Sequence, residues 1–114
     1  MYTIYHNPRC SKSRATLTIL QEEQTAPVEI IKYLDQKLTK KEMQALLTKL
    51  QMAPHELVRK NEAVWKENYK DKQLTDDELI SILIEHPKLI ERPIVTKDSQ
   101  GVIGRPPENV KKLF

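Results

Sequence analysis

The strongest constraint on the fold is a strand, a helix and a second strand within the first 34 residues. Residues Tyr2–Tyr5 (YTIY) are aromatic or β-branched, which is typical of a strand. Apolar residues then return at helical spacing, which predicts a helix from Ser11 to near Glu23. A second strand, VEIIKYL, is predicted after Ala26-Pro27. A βαβ unit of this length implies parallel strands joined by a right-handed crossover.

The middle of the chain is predicted to be helical. Thr39 and Glu42 have the spacing of a capping box before the run MQALLTKL, and Thr75 and Glu78 have the same spacing before LISILIEHP. Between these runs, Pro54 opens a short predicted helix, PHELVRK, and EAVWKENYK forms another.

The pattern returns to strands near the C-terminus. RPIVTK and GVIGR flank the turn residues 98–101 and predict a β-hairpin, and Pro106-Pro107 separates the hairpin from a closing helix, ENVKKLF. The order of elements predicts an α/β fold of thioredoxin-like type, with a mixed sheet built from βαβ and ββα units and an inserted helical block. We expect residues 1–114 to form a single domain.

Composition narrows the functional classes. Of the 114 residues, 39% are hydrophobic and 31% are charged, which favours a soluble globular protein. No apolar run reaches the ~20 residues of a membrane span, and the N-terminus lacks the features of a signal peptide, so we expect a cytoplasmic monomer with no membrane partner. The net charge of +3 is spread among alternating lysines and acids, which argues against nucleic-acid binding.

The only cysteine, Cys10, is predicted at the N-terminus of the first helix. The helix dipole, the free backbone N–H groups and the nearby Arg9, Lys12 and Arg14 would all stabilise a thiolate, the nucleophilic form. The alternative is a small buried cysteine that packs the joint between strand and helix. With a single cysteine the chain has no internal resolving thiol, so the electrons of any redox cycle must come from outside.

Three arginines stand at predicted element ends: Arg59, Arg92 and Arg105. Guanidinium groups suit tetrahedral oxyanions through their fork of donors, and a helix N-terminus accepts the same ligands. For each arginine taken singly, a solvated surface role is the more common alternative. His6, His55 and His86 lack the spacing of a zinc site, so we expect no metal and no bound cofactor.

The segments IYHNPRCSKSR, LVRKNE, TDDELI, HPKLIERPIV and GRPPE occur in an order that resembles the glutaredoxin-coupled arsenate reductase family over essentially the whole chain. The resemblance implies that Cys10 is the nucleophile and that Arg59, Arg92 and Arg105 bind the arsenic oxyanion. It further implies that His6 is an electrostatic neighbour that favours the thiolate. The implied co-substrate is glutathione and the implied protein partner is glutaredoxin.

Four further residues follow from the same resemblance as supporting residues: Asn7, Ser13, Arg14 and Pro93. Family members place a cis-proline beside the active cysteine, so the Arg92–Pro93 bond is expected to be cis. The catalytic loop of the family often has Ala before the cysteine and Gly after it, where this chain has Arg9 and Ser11. Arg9 either strengthens anion attraction or narrows access to the thiol.

Two other functions remain open from the sequence. Spx-like regulators of RNA polymerase share the fold, but they commonly carry a C-x-x-C switch where this chain has Ser13 as the last residue. A glutathione-dependent reductase acting on a mixed disulfide would attack sulfur, which does not require three arginines.

Overall fold

The computed structural model describes residues 1–24 and 26–114. The chain divides into two compact units, one formed by residues 1–36 and 92–114 and the other by residues 37–91. The predicted βαβ and ββα segments form the first unit, and the predicted helical block forms the second. In the described part of the chain, none of the helices has the length and apolar character needed to cross a membrane.

The first unit is a four-stranded mixed sheet with one long helix. Its elements are β1 (Tyr2–Tyr5), α1 (Ser11–Glu23), β2 (Val28–Ile31), β3 (Ile94–Lys97) and β4 (Gln100–Ile103). The strand order is β2-β1-β3-β4, with β1 parallel to β2 and antiparallel to β3, and with β3 antiparallel to β4. This arrangement confirms the predicted thioredoxin-like α/β fold.

Two boundaries in this unit differ from the prediction. Strand β2 ends at Ile31, three residues early, because the N–H of Asp35 donates to the carbonyl of Lys32 and turns the chain. The closing helix is a 3₁₀ helix, Pro107–Leu113, which packs against α1 and β4. The core between sheet and helices consists of buried apolar side chains: Tyr2, Ile4, Leu20, Val95, Val110 and Leu113.

The strand register brings three loops to one edge of the sheet. Tyr5, the last residue of β1, pairs with Ile94, the first residue of β3. Ile94 in turn pairs with Ile103, the last residue of β4. The loop after β1, the segment before β3 and the segment after β4 therefore leave the sheet at the same edge.

The second unit is helical, as predicted. It contains α2 (Lys40–Leu50), α3 (Ala63–Asn68) and α4 (Asp76–Glu85), together with two 3₁₀ helices, Pro54–Leu57 and Pro87–Leu89. Helix α2 packs against α4. Both predicted capping boxes are present, at the N-termini of α2 and α4. The helix predicted over PHELVRK stops at Leu57 because Val58 forms an antiparallel bridge with Ile90.

Candidate active site

The thiol lies at the start of α1. Cys10 occupies the N-cap position in an extended conformation (φ −94°, ψ 123°) and is half-buried. Its N–H donates to the carbonyl of Asn7 at 3.0 Å, and its own carbonyl accepts from the N–H of Arg14 at 3.0 Å. The N–H groups of the first helical turn have no partner within the helix, so the helix presents donors and a positive dipole end beside the sulfur.

Asn7 holds the loop that precedes the thiol. Its side-chain oxygen accepts from the backbone N–H of Arg9 at 3.0 Å, and the residue is buried. This local bond offers the backbone a fixed turn between strand and helix. Asn7 therefore acts on the conformation of the loop.

Ser13 links the end of β1 to the first turn of α1. Its Oγ accepts from the N–H of Asn7 at 3.0 Å and lies 2.6 Å from Nδ1 of His6. Ser13 has no exposed surface, and His6 is 6% exposed. Oγ of Ser13 therefore joins the N–H of Asn7 and the imidazole of His6 in one buried network, in which the direction of the bond to Nδ1 depends on the tautomer of the ring.

The pKa of His6 favours the neutral form of its imidazole. Burial lowers the pKa of His6 below its ordinary value of 6.5, and the positive charges of Lys32 and Arg14 lower it further. The ring is therefore neutral at pH 7. In this state the imidazole carries no full positive charge.

The basic side chains of the loop stay at the surface. Arg9, Lys12 and Arg14 are exposed, and Nη1 of Arg14 donates to the carbonyl of Pro8 at 3.0 Å. Arg14 thus ties the first turn of the helix back to the loop that precedes it.

Arg92 and Arg105 lie at the same sheet edge as this loop. Nη1 of Arg105 is 3.4 Å from the carbonyl of Arg92, to which it donates. The N–H of Gly104 donates to the carbonyl of Pro93 at 2.8 Å. Nε of Arg92 is buried and has no hydrogen-bond partner among the residues that the structure describes. A buried donor of this kind is suited to an anionic ligand.

The Arg92–Pro93 bond is cis, as the resemblance implied. The Arg105–Pro106 bond is cis as well, which the sequence analysis did not predict.

Helix α1 lies close to the segment after β4 at Gly104, which also lies close to Pro93 in the segment before β3. A Cβ built on Gly104 would lie 2.6 Å from Oγ1 of Thr16 and 2.9 Å from Cγ of Pro93. Thr16 is fully buried, and its Oγ1 donates to the carbonyl of Lys12. Only glycine permits this approach of α1, so Gly104 sets the position of the helix that carries Cys10 relative to Pro93.

Arg59 belongs to the second unit. Its Nη1 donates to Oε1 of Glu62 at 2.9 Å, and its Nε lies 3.6 Å from Oε1 of Glu91. Its side chain is 19% exposed. Arg59 was predicted as a site residue, but neither of its carboxylate partners was.

The packing of Thr16 against Gly104 was not predicted from the sequence either. Glu62 had a local signal, since it lies three residues after Arg59 and is followed by a helix. Thr16, Gly104 and Glu91 had none, because their contacts join segments that are distant in sequence. No group of three or more potential metal ligands occurs within residues 1–24 and 26–114.

The chain is similar to known proteins over almost its whole length. The model of the ArsC family matches residues 5–113. The chain is 44% identical over 112 residues to the uncharacterized protein YfgD of Escherichia coli strain K12, covering 96% of this chain and 93% of that protein. It is 40% identical over 113 residues to an arsenate reductase of Neisseria meningitidis serogroup B, covering 97% of this chain and 96% of that enzyme.

Solved structures show the same similarity. An arsenate reductase from Vibrio cholerae superposes with a TM-score of 0.93 at 43% identity, covering 99% of this chain and 97% of that one.

Proposed function

The chain belongs to the ArsC family, and from this premise we propose that it is an arsenate reductase with Cys10 as its nucleophile. The observation that carries the proposal is the placement of Cys10 at the N-terminus of α1, on the sheet edge that also bears Arg92 and Arg105. Relatives with 40% identity over nearly the whole chain are arsenate reductases.

Arsenate is a tetrahedral oxyanion, and the proposed site supplies donors for it. The buried Nε of Arg92 and the guanidinium of Arg105 bind its oxygens. The N–H groups at the start of α1 face the same charge. Arg59 is the third ligand that the family resemblance assigns. The donors of the first unit (Arg92, Arg105 and the start of α1) hold the arsenic atom in place for attack and stabilise the negative charge that develops on its oxygens.

In the first chemical step the Cys10 thiolate attacks arsenic. A sulfur–arsenic bond forms, an arsenic–oxygen bond breaks, and the oxygen leaves as water after it takes up protons. Arsenic remains As(V) in this step, because one ligand has replaced another.

Reduction to arsenite then requires two electrons. Two thiols outside this chain supply them and end as one disulfide, since Cys10 is the single cysteine of the sequence. We propose glutathione and glutaredoxin for these roles. Water finally displaces Cys10 from As(III), which releases arsenite and the free thiol.

The same mechanism requires a compartment in which thiols are kept reduced. It acts as a monomer in the cytoplasm, where glutathione keeps cysteines reduced, and it binds no metal or cofactor of its own.

A paired assay tests the proposal. The purified protein is given arsenate or a glutathionylated protein, each with glutathione and a glutaredoxin, and disulfide formation is measured. We expect turnover with arsenate that needs both thiol donors, and little turnover with the mixed disulfide. Reduction of the mixed disulfide without reduction of arsenate would show that the electrophile is sulfur.

A further inference from the structure

Arg59 lies between two carboxylates whose positions are fixed by backbone hydrogen bonds. The N–H of Arg59 donates to the carbonyl of Leu89 at 2.7 Å, and the N–H of Glu91 donates to the carbonyl of Leu57 at 2.8 Å. These bonds flank the Val58–Ile90 bridge and hold Arg59 and Glu91 side by side. The N–H of Glu62 donates to the carbonyl of Arg59 at 3.2 Å, which fixes the backbone of Glu62 relative to Arg59.

The cluster formed by Arg59, Glu62 and Glu91 has one positive and two negative charges. The three side chains are 19%, 33% and 27% exposed, so solvent screens their interactions less than it screens surface pairs. The hydrogen bond to Glu62 occupies a donor of Nη1, and Nε forms a longer ion pair with Glu91 at 3.6 Å. Nη2 has none of the hydrogen bonds found for the described residues, and its donors are available to a further ligand.

An anion that binds Nη2 is therefore attracted by the guanidinium of Arg59 and repelled by the carboxylates of Glu62 and Glu91. We propose that Glu62 and Glu91 lower the affinity of Arg59 for oxyanions and so set the concentration range in which this chain binds arsenate. The proposal rests on the proposed function in one respect, the use of Arg59 as an oxyanion ligand. Glu62 and Glu91 act through Arg59 and do not touch the substrate.

The alternative is that the two carboxylates only orient Arg59 and thereby favour anion binding. A Glu→Gln change separates the two effects. Glutamine keeps a side-chain oxygen that accepts from the guanidinium, but it removes the negative charge. Glu62 does not cap α3 through its side chain, so Glu62→Gln leaves that helix start unchanged.

The test measures binding of inorganic phosphate, an unreactive oxyanion of the same shape, by calorimetry, together with the KM for arsenate. We expect Glu62→Gln and Glu91→Gln each to lower the Kd for phosphate and the KM about three- to tenfold, with kcat changed less than about twofold. The gain should shrink at high ionic strength, because it is electrostatic. Glu67→Gln, a change to an exposed glutamate in α3, is the matched control and should leave both constants unchanged.

Arg59→Ala variants complete the design. Arg59→Ala should raise the Kd for phosphate, since that guanidinium is the oxyanion ligand beside which both carboxylates lie. An unchanged or raised Kd in both Glu→Gln variants overturns the proposal, and so does a Kd for phosphate that Arg59→Ala leaves unchanged. Phosphate binding that is absent from every variant also overturns it.

The two proposals fail in different ways. A wild-type protein that reduces no arsenate contradicts the proposed function, and the Kd for phosphate still decides the effect of Glu62 and Glu91. Arsenate turnover with unchanged constants in the Glu→Gln variants contradicts only the present inference.

Discussion

Oγ of Ser13 lies 2.6 Å from Nδ1 of His6 within the buried joint between β1 and α1. Ser13 stands where a C-x-x-C loop would have its second cysteine. This serine has a structural role, because its hydroxyl forms hydrogen bonds with both the imidazole of His6 and the N–H of Asn7. The loop that carries Cys10 is thus fixed by a polar network.

Ser13→Ala should destabilise the protein. The change leaves the N–H of Asn7 and Nδ1 of His6 without their buried partner, at a cost of about 1–3 kcal/mol in the free energy of unfolding. Urea denaturation of the variant measures this cost. Ser11→Ala, at an exposed position of the same helical turn, is the control and should change the stability by less than about 0.5 kcal/mol. Equal stability of the two variants would show that the network contributes nothing.

His6 should make stability depend on pH. Its folded pKa lies below the ordinary value of 6.5, so the unfolded chain binds more protons just below that pH. The contribution of neutral His6 is therefore complete above pH 6.5 and is lost as the pH falls toward the folded pKa. Denaturation midpoints between pH 8 and pH 5 measure the effect.

His6→Gln isolates this contribution. The variant does not titrate at this position, so its stability should fall less steeply below pH 6.5 than that of the wild type. The difference in slope has an upper limit of about 1.4 kcal/mol per pH unit for one proton. Parallel curves for the two proteins would refute the assigned protonation of the folded state.

Gly104→Ala should force Thr16 of α1 and Pro93 away from the new side chain. The new methyl group would lie 2.6 Å from Oγ1 of Thr16 and 2.9 Å from Cγ of Pro93, which costs about 1–3 kcal/mol of stability. Thr16→Ala in the same chain removes one of the two obstacles, so the double variant should lose less than the sum of the single changes. Strict additivity in thermal unfolding would mean that Gly104 and Thr16 do not interact.

Arg92→Ala should weaken catalysis strongly. The change removes a donor whose Nε is buried without a protein partner, and kcat/KM for arsenate should fall about 10²- to 10³-fold. Lys88→Ala, which removes an exposed positive charge, should retain near wild-type values. A similar small loss in both variants would indicate that Arg92 supplies only general positive charge.

The sequence predicted the fold where local signals agree. Capping residues at Thr39 and Thr75 and the apolar spacing of α1 depend on neighbours within a few residues, and these elements are observed. The end of strand β2 and the type of the closing helix were predicted wrongly. Their boundaries and helix type depend on a turn at Lys32 and on packing of the final segment, which local spacing does not encode.

The candidate site was predictable in its residue types but not in its contacts. Cys10 stood out as a single thiol among basic residues, whereas Arg92 and Arg105 were assigned by the family resemblance. The neutral state of His6 required knowledge of its burial and of the charge on Lys32. The carboxylate of Glu91 beside Arg59 depends on pairing of Val58 with Ile90, residues that are far apart in the chain.

The most direct test of the central claim is arsenate turnover by Cys10→Ser. The variant changes one atom at the start of α1, and circular dichroism verifies that its fold is intact. With glutathione and glutaredoxin present, we predict that the wild type releases arsenite and that Cys10→Ser releases no more than a sample without the protein. Arsenite release by the variant at a rate near that of the wild type would contradict the assignment of Cys10 as the nucleophile.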